Sequence, residues 1–140
     1  MIEQGLTLSF RQEMLQAGQN LLTDTLRMAL YLAPADIGPN TIVYTTGNEV
    51  VGTGYTAGGE LVTGAVITTD AQSRTVYVNF DNVSWPGASF MARGALIYNE
   101  TQGNKSIAVL DFGADKIFSS LNNTVTMPAN SATTALIRFP

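Results

Sequence analysis

Residues 89–114 decide the fold of this chain, and they read SFMARGALIYNETQGNKSIAVLDFGA. Two nearly continuous apolar runs, at 90–98 and 107–112, are separated by a polar link that contains Gly103. This pattern is typical of an antiparallel β-hairpin. Neither face of the first run is properly polar, so we expect its strand in the middle of a sheet, with both faces covered.

Small residues within the hairpin predict close packing against the sheet. A strand interior gives up packing area where it uses Gly or Ala, so we expect something large beside these positions. The small residues are Ala92, Gly94, Ala95 and Ala108. Strict alternation predicts one face formed by Phe90, Ala92, Gly94, Leu96 and Tyr98, and the other by Met91, Arg93, Ala95 and Ile97.

The composition excludes several classes of function. The chain has 140 residues, enough for one ordinary domain, and contains neither cysteine nor histidine. Disulfides, thiolate metal sites and the commonest general base are therefore excluded. The hairpin's two potentially reacting groups, Arg93 and Asp111, are expected to pair with each other or to cap an edge of the sheet, and not to act in catalysis. We predict that the protein is not an enzyme and has no catalytic residue, no metal site and no cofactor.

The charge pattern bears on the kind of partner. Seven basic and eleven acidic residues give a net charge of −4, spread singly along the chain. Without a Lys/Arg cluster to follow a phosphate backbone, nucleic acid is not an expected partner. Only 13% of residues are charged, which fits a protein that works pressed against other proteins. With no export signal and no apolar run of membrane-spanning length, we expect synthesis in a cytoplasm and no membrane partner.

The rest of the chain predicts one short helix and several short strands. Ser9 and Gln12 make a capping-box pattern, and Gly18 can end a helix over 9–17. Further strands are predicted at 25–33, 41–45, 61–69, 74–80, 124–127 and 134–139. This pattern predicts a single all-β domain, 1–140, with an antiparallel two-sheet architecture. Spacing alone does not separate a jelly roll from an immunoglobulin-like sandwich.

Other features invite functional interpretations that the local sequence does not favour. Residues 52–59, GTGYTAGG, contain a G-x-G-x-x-A pattern. A β-branched run follows them instead of the helix that a nucleotide fingerprint requires, so we predict a tight loop. Trp85 stands before a turn and is predicted to plug the core rather than to stack on a sugar. Two pairs of acids could be imagined as catalytic carboxylates: Glu49 with Glu60, and Asp111 with Asp115.

Four stretches of the chain carry a resemblance to a known family. They are EVVGTGYTAGGELVTG from Glu49, VNFDNVSWPGASFMARGALIYN from Val78, KSIAVLDFGADK from Lys105, and the closing TTALIRFP. Together they resemble the capsid cement or decoration proteins of tailed bacteriophages. The resemblance implies a jelly-roll β-sandwich that dimerises on the outside of the capsid and clamps neighbouring major capsid subunits without covalent cross-links. The expected location is the capsid exterior of the virion.

The alternative function comes from a different class. A carbohydrate-binding jelly-roll module of a tail fibre or spike could use aromatic side chains as stacking surfaces. The candidates for that role are Tyr44, Tyr55, Trp85 and Tyr98.

The candidate interface lies at the two ends of the chain, because an unpaired arm or sheet edge pairs readily with another chain. The N-terminal arm, 1–8, either docks on a neighbour or frays. Its candidate contact residues are Ile2, Leu6 and Leu8, and those of the last strand are Leu136, Arg138 and Phe139.

Overall fold

A computed structural model gives the fold and describes residues 1–139. These residues form one helix and ten strands, with the helix α1 at Leu8–Leu15. The strands are β1 (Gly5–Leu6), β2 (Leu26–Tyr31), β3 (Glu60–Val62), β4 (Val66–Asp70), β5 (Thr75–Asn79), β6 (Val83–Ser84), β7 (Phe90–Asn99), β8 (Lys105–Phe118), β9 (Thr124–Val125) and β10 (Ile137–Phe139).

The strands form three antiparallel sheets. The largest has the order β1-β8-β7-β2-β3, and the two smaller ones have the orders β10-β5-β4 and β6-β9. The predicted hairpin is confirmed as β7 and β8, and β7 lies in the middle of the large sheet. The protein is mostly β, with 43% of its residues in strands, which is consistent with the predicted all-β sandwich with one short helix.

The main core lies on one face of the large sheet, where the smaller sheets and the helix pack against it. The large sheet contributes Leu26, Met28, Leu30, Ala95, Ile97 and Ile107. The covering elements contribute Phe10 of α1, Val78, Val83, Val125 and Ile137. Each fully buried aliphatic or aromatic side chain stabilises the fold by about 1.5 to 3 kcal/mol, so this layer is the chief source of stability.

The other face of the large sheet is covered by the N-terminal arm and by the long loop between β2 and β3. Ile2 and Ile37 pack there against Tyr31, Leu96 and neighbouring residues. The prediction that β7 is covered on both faces is therefore confirmed. The close packing predicted at the small residues of the hairpin is found at Gly94, where a Cβ would lie 3.0 Å from two side-chain carbons of Ile2.

A bulge changes the predicted faces of β7. The partners of Ala92 and Gly94 on β8 are Lys116 and Asp111, so residues 112–115 have no counterpart on β7. On β7 the register shift falls between Ala92 and Gly94, where Arg93 has no partner in the ladder, and the alternation of side chains does not continue across it. Phe90 and Ala92 therefore face the same core as Ala95 and Ile97, while Leu96 and Tyr98 face the other core. The single face predicted from strict alternation is wrong for this reason.

The helix begins and ends earlier than predicted. Its N-cap is Thr7, whose hydroxyl accepts a hydrogen bond from the Phe10 amide at 3.2 Å, and not Ser9. At the other end Ala17 adopts a positive φ of 56°. The Gly18 amide then donates to the Glu13 carbonyl at 2.7 Å, as in a Schellman motif. The left-handed position thus falls one residue before the glycine.

Two predicted strands differ in the structure. Residues 41–45 form no named strand, and Val43 makes an isolated bridge to Lys105. The predicted strand at 61–69 is divided into β3 and β4, which belong to different sheets. Gly64, with a φ of +72°, lies between them and takes a conformation that other residues rarely adopt. The chain can therefore cross from the large sheet to the three-stranded sheet at this point.

Candidate interaction surface

The N-terminal arm is part of the fold of its own chain. β1 pairs with Ala108 and Val109 of β8, and the Glu3 amide donates to the Ile37 carbonyl at 2.9 Å. Ile2 is only 8% exposed, and Leu6 packs partly buried against the main core. In this conformation Ile2 is buried and Leu6 is half-buried within the chain's own fold, and the arm lies along the chain instead of extending away from it.

The other predicted interface residues do not form one surface. Leu8 is exposed at the start of α1. Leu136 packs partly buried against the main core and lines a groove together with Leu110 and Phe112. Arg138 donates from Nη1 to the Thr133 carbonyl at 2.7 Å. Phe139, which is 38% exposed, lies in a different groove.

The groove that holds Phe139 is lined almost entirely by apolar atoms and has a volume of about 370 Å³. It lies between α1 and the three-stranded sheet. In the sheet register Ile67 pairs with Val78 and Val76 with Phe139, and residues directly opposite each other share a face. Ile67 and Val76 therefore point to the same face as the buried Val78, yet both remain exposed.

The apolar surface continues beyond this groove. Leu21 lines both this groove and a neighbouring hollow that contains the exposed residues Leu22 and Leu61. We call this surface the apolar band; it consists of Met14, Leu21, Leu22, Leu61, Ile67, Val76 and Phe139. Scattered exposed apolar side chains are normal on a monomer, whereas a connected group of them marks a contact surface.

Sequence analysis identified only Phe139 among the residues of the apolar band. A signal for Ile67 is present in residues 61–69, LVTGAVITT, where the predicted strand lacks the polar alternation of a strand with one wet face. Met14 and Leu21 could not have been found this way, because their place in the groove depends on how the helix and the segment after it lie relative to the three-stranded sheet.

The aromatic residues considered for carbohydrate binding are used inside the fold. Trp85 is fully buried and packs edge-on against Phe118, with ring centroids 5.7 Å apart. Its predicted role as a core plug is confirmed. Tyr44 stacks on the buried Tyr98 at 4.7 Å, and Tyr55 packs edge-on against Phe90.

Glu49 organises this tyrosine cluster. Its carboxylate accepts hydrogen bonds from the Tyr44 hydroxyl at 2.6 Å, from the Tyr55 hydroxyl and from the Gly58 amide at 2.8 Å. Burial, with the nearby Glu49 charge, raises the pKa of Tyr44 and Tyr55. Tyr98 donates to the Gly58 carbonyl at 2.7 Å, and burial raises its pKa to about 12. The cluster thus fastens the loop 44–58 to the large sheet.

Two of the four acids considered for catalysis, Glu49 and Asp111, have structural contacts. Glu49 is buried, and its carboxylate accepts hydrogen bonds from three donors. Asp111 Oδ1 lies 3.5 Å from Arg93 Nε, the ion pair that the sequence predicts, and accepts from the Gly113 amide at 2.8 Å. Among residues 1–139, no group of three or more acidic side chains is placed to hold a metal ion.

The predicted tight loop at 52–59 is confirmed, since strand β3 and not a helix follows it. A Cβ at Gly59 would lie 1.8 Å from the Met28 carbonyl oxygen. The glycine therefore allows the loop to approach β2 closely, a packing role and not a phosphate-binding one.

Comparison with known proteins gives no relative: the chain matches no family model, no curated protein and no solved structure at a significant level. Within the described part of the chain, none of the helical segments has the length and apolar character needed to cross a membrane.

Proposed function

We propose that this protein is a structural component of a phage virion, which decorates the capsid exterior and holds neighbouring major capsid subunits together without covalent bonds. We further propose that it does so as a homodimer built on a jelly-roll sandwich, with no catalytic role and no cofactor. The resemblance of residues 49–64, 78–99, 105–116 and 133–140 to capsid cement proteins suggests this assignment.

The apolar band is the structural observation that carries the proposal. A chain with so few charges already has a surface suited to protein contact. Five side chains of the band are exposed, and they lie around the buried Leu21 and the half-buried Met14 beside a groove; the five are Leu22, Leu61, Ile67, Val76 and Phe139. Such a group marks a site of association. A shell that carries many copies of one modest contact gains strength, because linked contacts act at high effective concentration.

The carbohydrate-binding alternative draws no support from the geometry. Stacking on a sugar needs an aromatic ring with an open face, whereas Trp85 and Tyr98 are buried and Tyr44 and Tyr55 are packed against other rings. We therefore propose the structural role alone.

The test uses particles from which the protein has been depleted. Intact and depleted particles are heated side by side, and DNA release is followed by a dye. We expect depleted shells to release DNA at a lower temperature, and rebinding of the purified protein to restore the original temperature. Equal release temperatures would overturn the cementing role.

Two substitutions locate the contact. Phe139→Asp places a charge in the apolar band and is expected to weaken rebinding by at least about tenfold. Leu121→Asp is the matched control, because Leu121 is 98% exposed and lies outside the band. If both variants rebind like the wild type, the band is not the contact surface.

A further inference from the structure

We propose that the free edge of β4 pairs with β4 of a second copy. The two strands run antiparallel about a two-fold axis at Thr68 and join two three-stranded sheets into one of six strands. The β4 edge would be the contact surface of the homodimer. This proposal rests on the proposed function in one respect, that the partner is a second copy of the chain.

The outer edge of β4 is open. β4 is the last strand of the order β10-β5-β4, and its ladder bonds go to β5. No other backbone hydrogen bond within residues 1–139 reaches 66–70. An edge of this kind presents a row of unpaired amide and carbonyl groups that can pair with another strand.

β4 also lacks the devices that normally protect a sheet edge. Proteins blunt edges with lysine, proline, bulges or very short strands. β4 has the sequence VITTD, with four β-branched residues and neither lysine nor proline. Its register with β5 runs from Val66 opposite Asn79 to Asp70 opposite Thr75 without a shift. The strand is therefore regular in its pairing and rich in residues that favour sheets.

The other edges of the described chain are less suited to pairing. β10 has three residues and carries Arg138 at its centre. β3 also has three residues and begins with Glu60. The outer edge of β8 is covered by β1 at residues 108–109, and the strand bulges at 112–115.

The sequence of β4 is compatible with itself, which is why a second copy fits the edge. With Thr68 opposite Thr68 of the second copy, Ile67 lies opposite Thr69 and Val66 opposite Asp70. No like charges meet, whereas β10 paired with itself about its centre would place two Arg138 side chains opposite each other. Pairing of β4 with β10 of another copy would leave one free edge at each end and grow into open chains. The two-fold arrangement closes.

The apolar band supports the same arrangement. Residues opposite each other in an antiparallel pair point to the same face, so the Ile67 side chains of both copies lie on one face of the joined sheet. The two grooves then open on the same side, and Ile67 of each copy gains a neighbour in Thr69 of the other. The exposure of Ile67 and Val66 in the single chain is reduced by this contact.

The test uses the register of the proposed pair, in which Thr68 lies opposite Thr68 of the second copy. Thr68→Lys and Thr68→Glu each bring like charges together, and we expect each to raise the dimer dissociation constant at least about tenfold. By sedimentation the wild type should have twice the 14.9 kDa mass of the chain, and each variant the mass of one chain. An equal mixture of the two variants should recover dimers containing one chain of each kind. Native mass spectrometry detects these when one variant carries heavy nitrogen.

Controls separate pairing from folding. Thr46→Lys makes the same substitution on an exposed loop and should leave the dimer intact. Thr68→Val keeps shape without charge and should also remain dimeric, while circular dichroism checks that every variant folds. Amides of residues 66–70 should exchange faster in Thr68→Lys than in the wild type.

Several results would overturn the inference: a monomeric wild type at concentrations that saturate the capsid, a dimeric Thr68→Lys, or a mixture that stays monomeric. A monomeric wild type that still protects capsids from heat would leave the proposed capsid role standing, but without the homodimer. A dimer that depends on β4 but has no effect on capsids would support the β4 contact and overturn the proposed capsid role.

Discussion

Ile2 packs directly on Gly94, and this contact ties the N-terminal arm to the central strand of the large sheet. A Cβ at Gly94 would lie 3.0 Å from two carbons of the Ile2 side chain and 2.6 Å from the Leu110 carbonyl oxygen. The position therefore has no room for any side chain unless the arm or β8 moves.

Gly94→Ala is expected to destabilise the protein by about 1 to 3 kcal/mol, because it overpacks a filled site. Ile2→Ala should cost about 2 kcal/mol or more, since it removes a buried aliphatic side chain. Denaturant melts measure both. Leu15→Ala is the control, because Leu15 is 91% exposed, and it should change stability by less than about 0.5 kcal/mol. A neutral Gly94→Ala would show that the arm is only loosely docked.

Leu96→Ala and Ile107→Ala should each destabilise the fold by about 2 to 5 kcal/mol. Both side chains are fully buried, but they face opposite cores of the large sheet. Ile117→Ala provides a matched control in the same hairpin, since Ile117 is 69% exposed. Losses under about 1 kcal/mol for both buried positions would contradict a central place for the hairpin.

Glu49→Gln should destabilise the protein by about 1 to 3 kcal/mol, because an amide cannot accept all three hydrogen bonds that the carboxylate accepts. Hydrogen exchange should rise first in the loop 44–58, which these bonds fasten. Glu3→Gln, at an exposed position of the docked arm, is the control. Unchanged exchange in the loop would mean that Glu49 is not its anchor.

Stability should fall as the pH rises from about 10 through about 12. A tyrosine in the unfolded chain loses its proton near pH 10, whereas burial raises the pKa of Tyr98 to about 12 and that of Tyr31 further. Over this window the folded state holds more protons than the unfolded state, so raising the pH favours unfolding. Below about pH 10 the stabilisation is fully present.

Denaturant melts across this pH range, with phenolate absorbance followed in parallel, provide the measurement. Tyr98→Phe should flatten the pH dependence because it removes one of the coupled groups. A constant free energy of unfolding up to pH 12 would refute the assignment of these tyrosines to a buried cluster.

The sequence predicted the elements whose pattern is local and missed those that depend on tertiary contacts. The β7–β8 hairpin and the burial of Trp85 followed from apolar runs and turn signals. The pairing of Arg93 with Asp111 was expected because structural ion pairs are common. The bulge at 112–115 could not be predicted, since no composition signal marks where the β7–β8 register shifts. The helix began at Thr7 because that hydroxyl also lies near the Ile107 carbonyl, a contact made through the docked sheet.

The candidate surface was harder to predict than the fold. Ile2 and Leu6 look like an exposed arm in sequence, but the shallow space above Gly94 gives Ile2 a place in the chain's own core. The band around Phe139 combines Met14 of the helix with Ile67, Val76 and Phe139 from three strands. Sheet pairing brings the three strand residues together, whereas Met14 reaches the groove only through the position of α1 beside that sheet.

The docking of the arm also sets the order in which the chain can complete its fold. Ile2 and Thr7 are synthesised before their partners, since Gly94 and Ile107 follow about a hundred residues later. Contacts so distant in sequence form slowly, because the intervening chain must first be closed into a loop. The arm is thus among the last parts of the chain to be buried. A tag fused before Met1 would therefore disturb this late step of folding and the packing of the arm on the central sheet. A tag attached to an exposed loop would disturb neither.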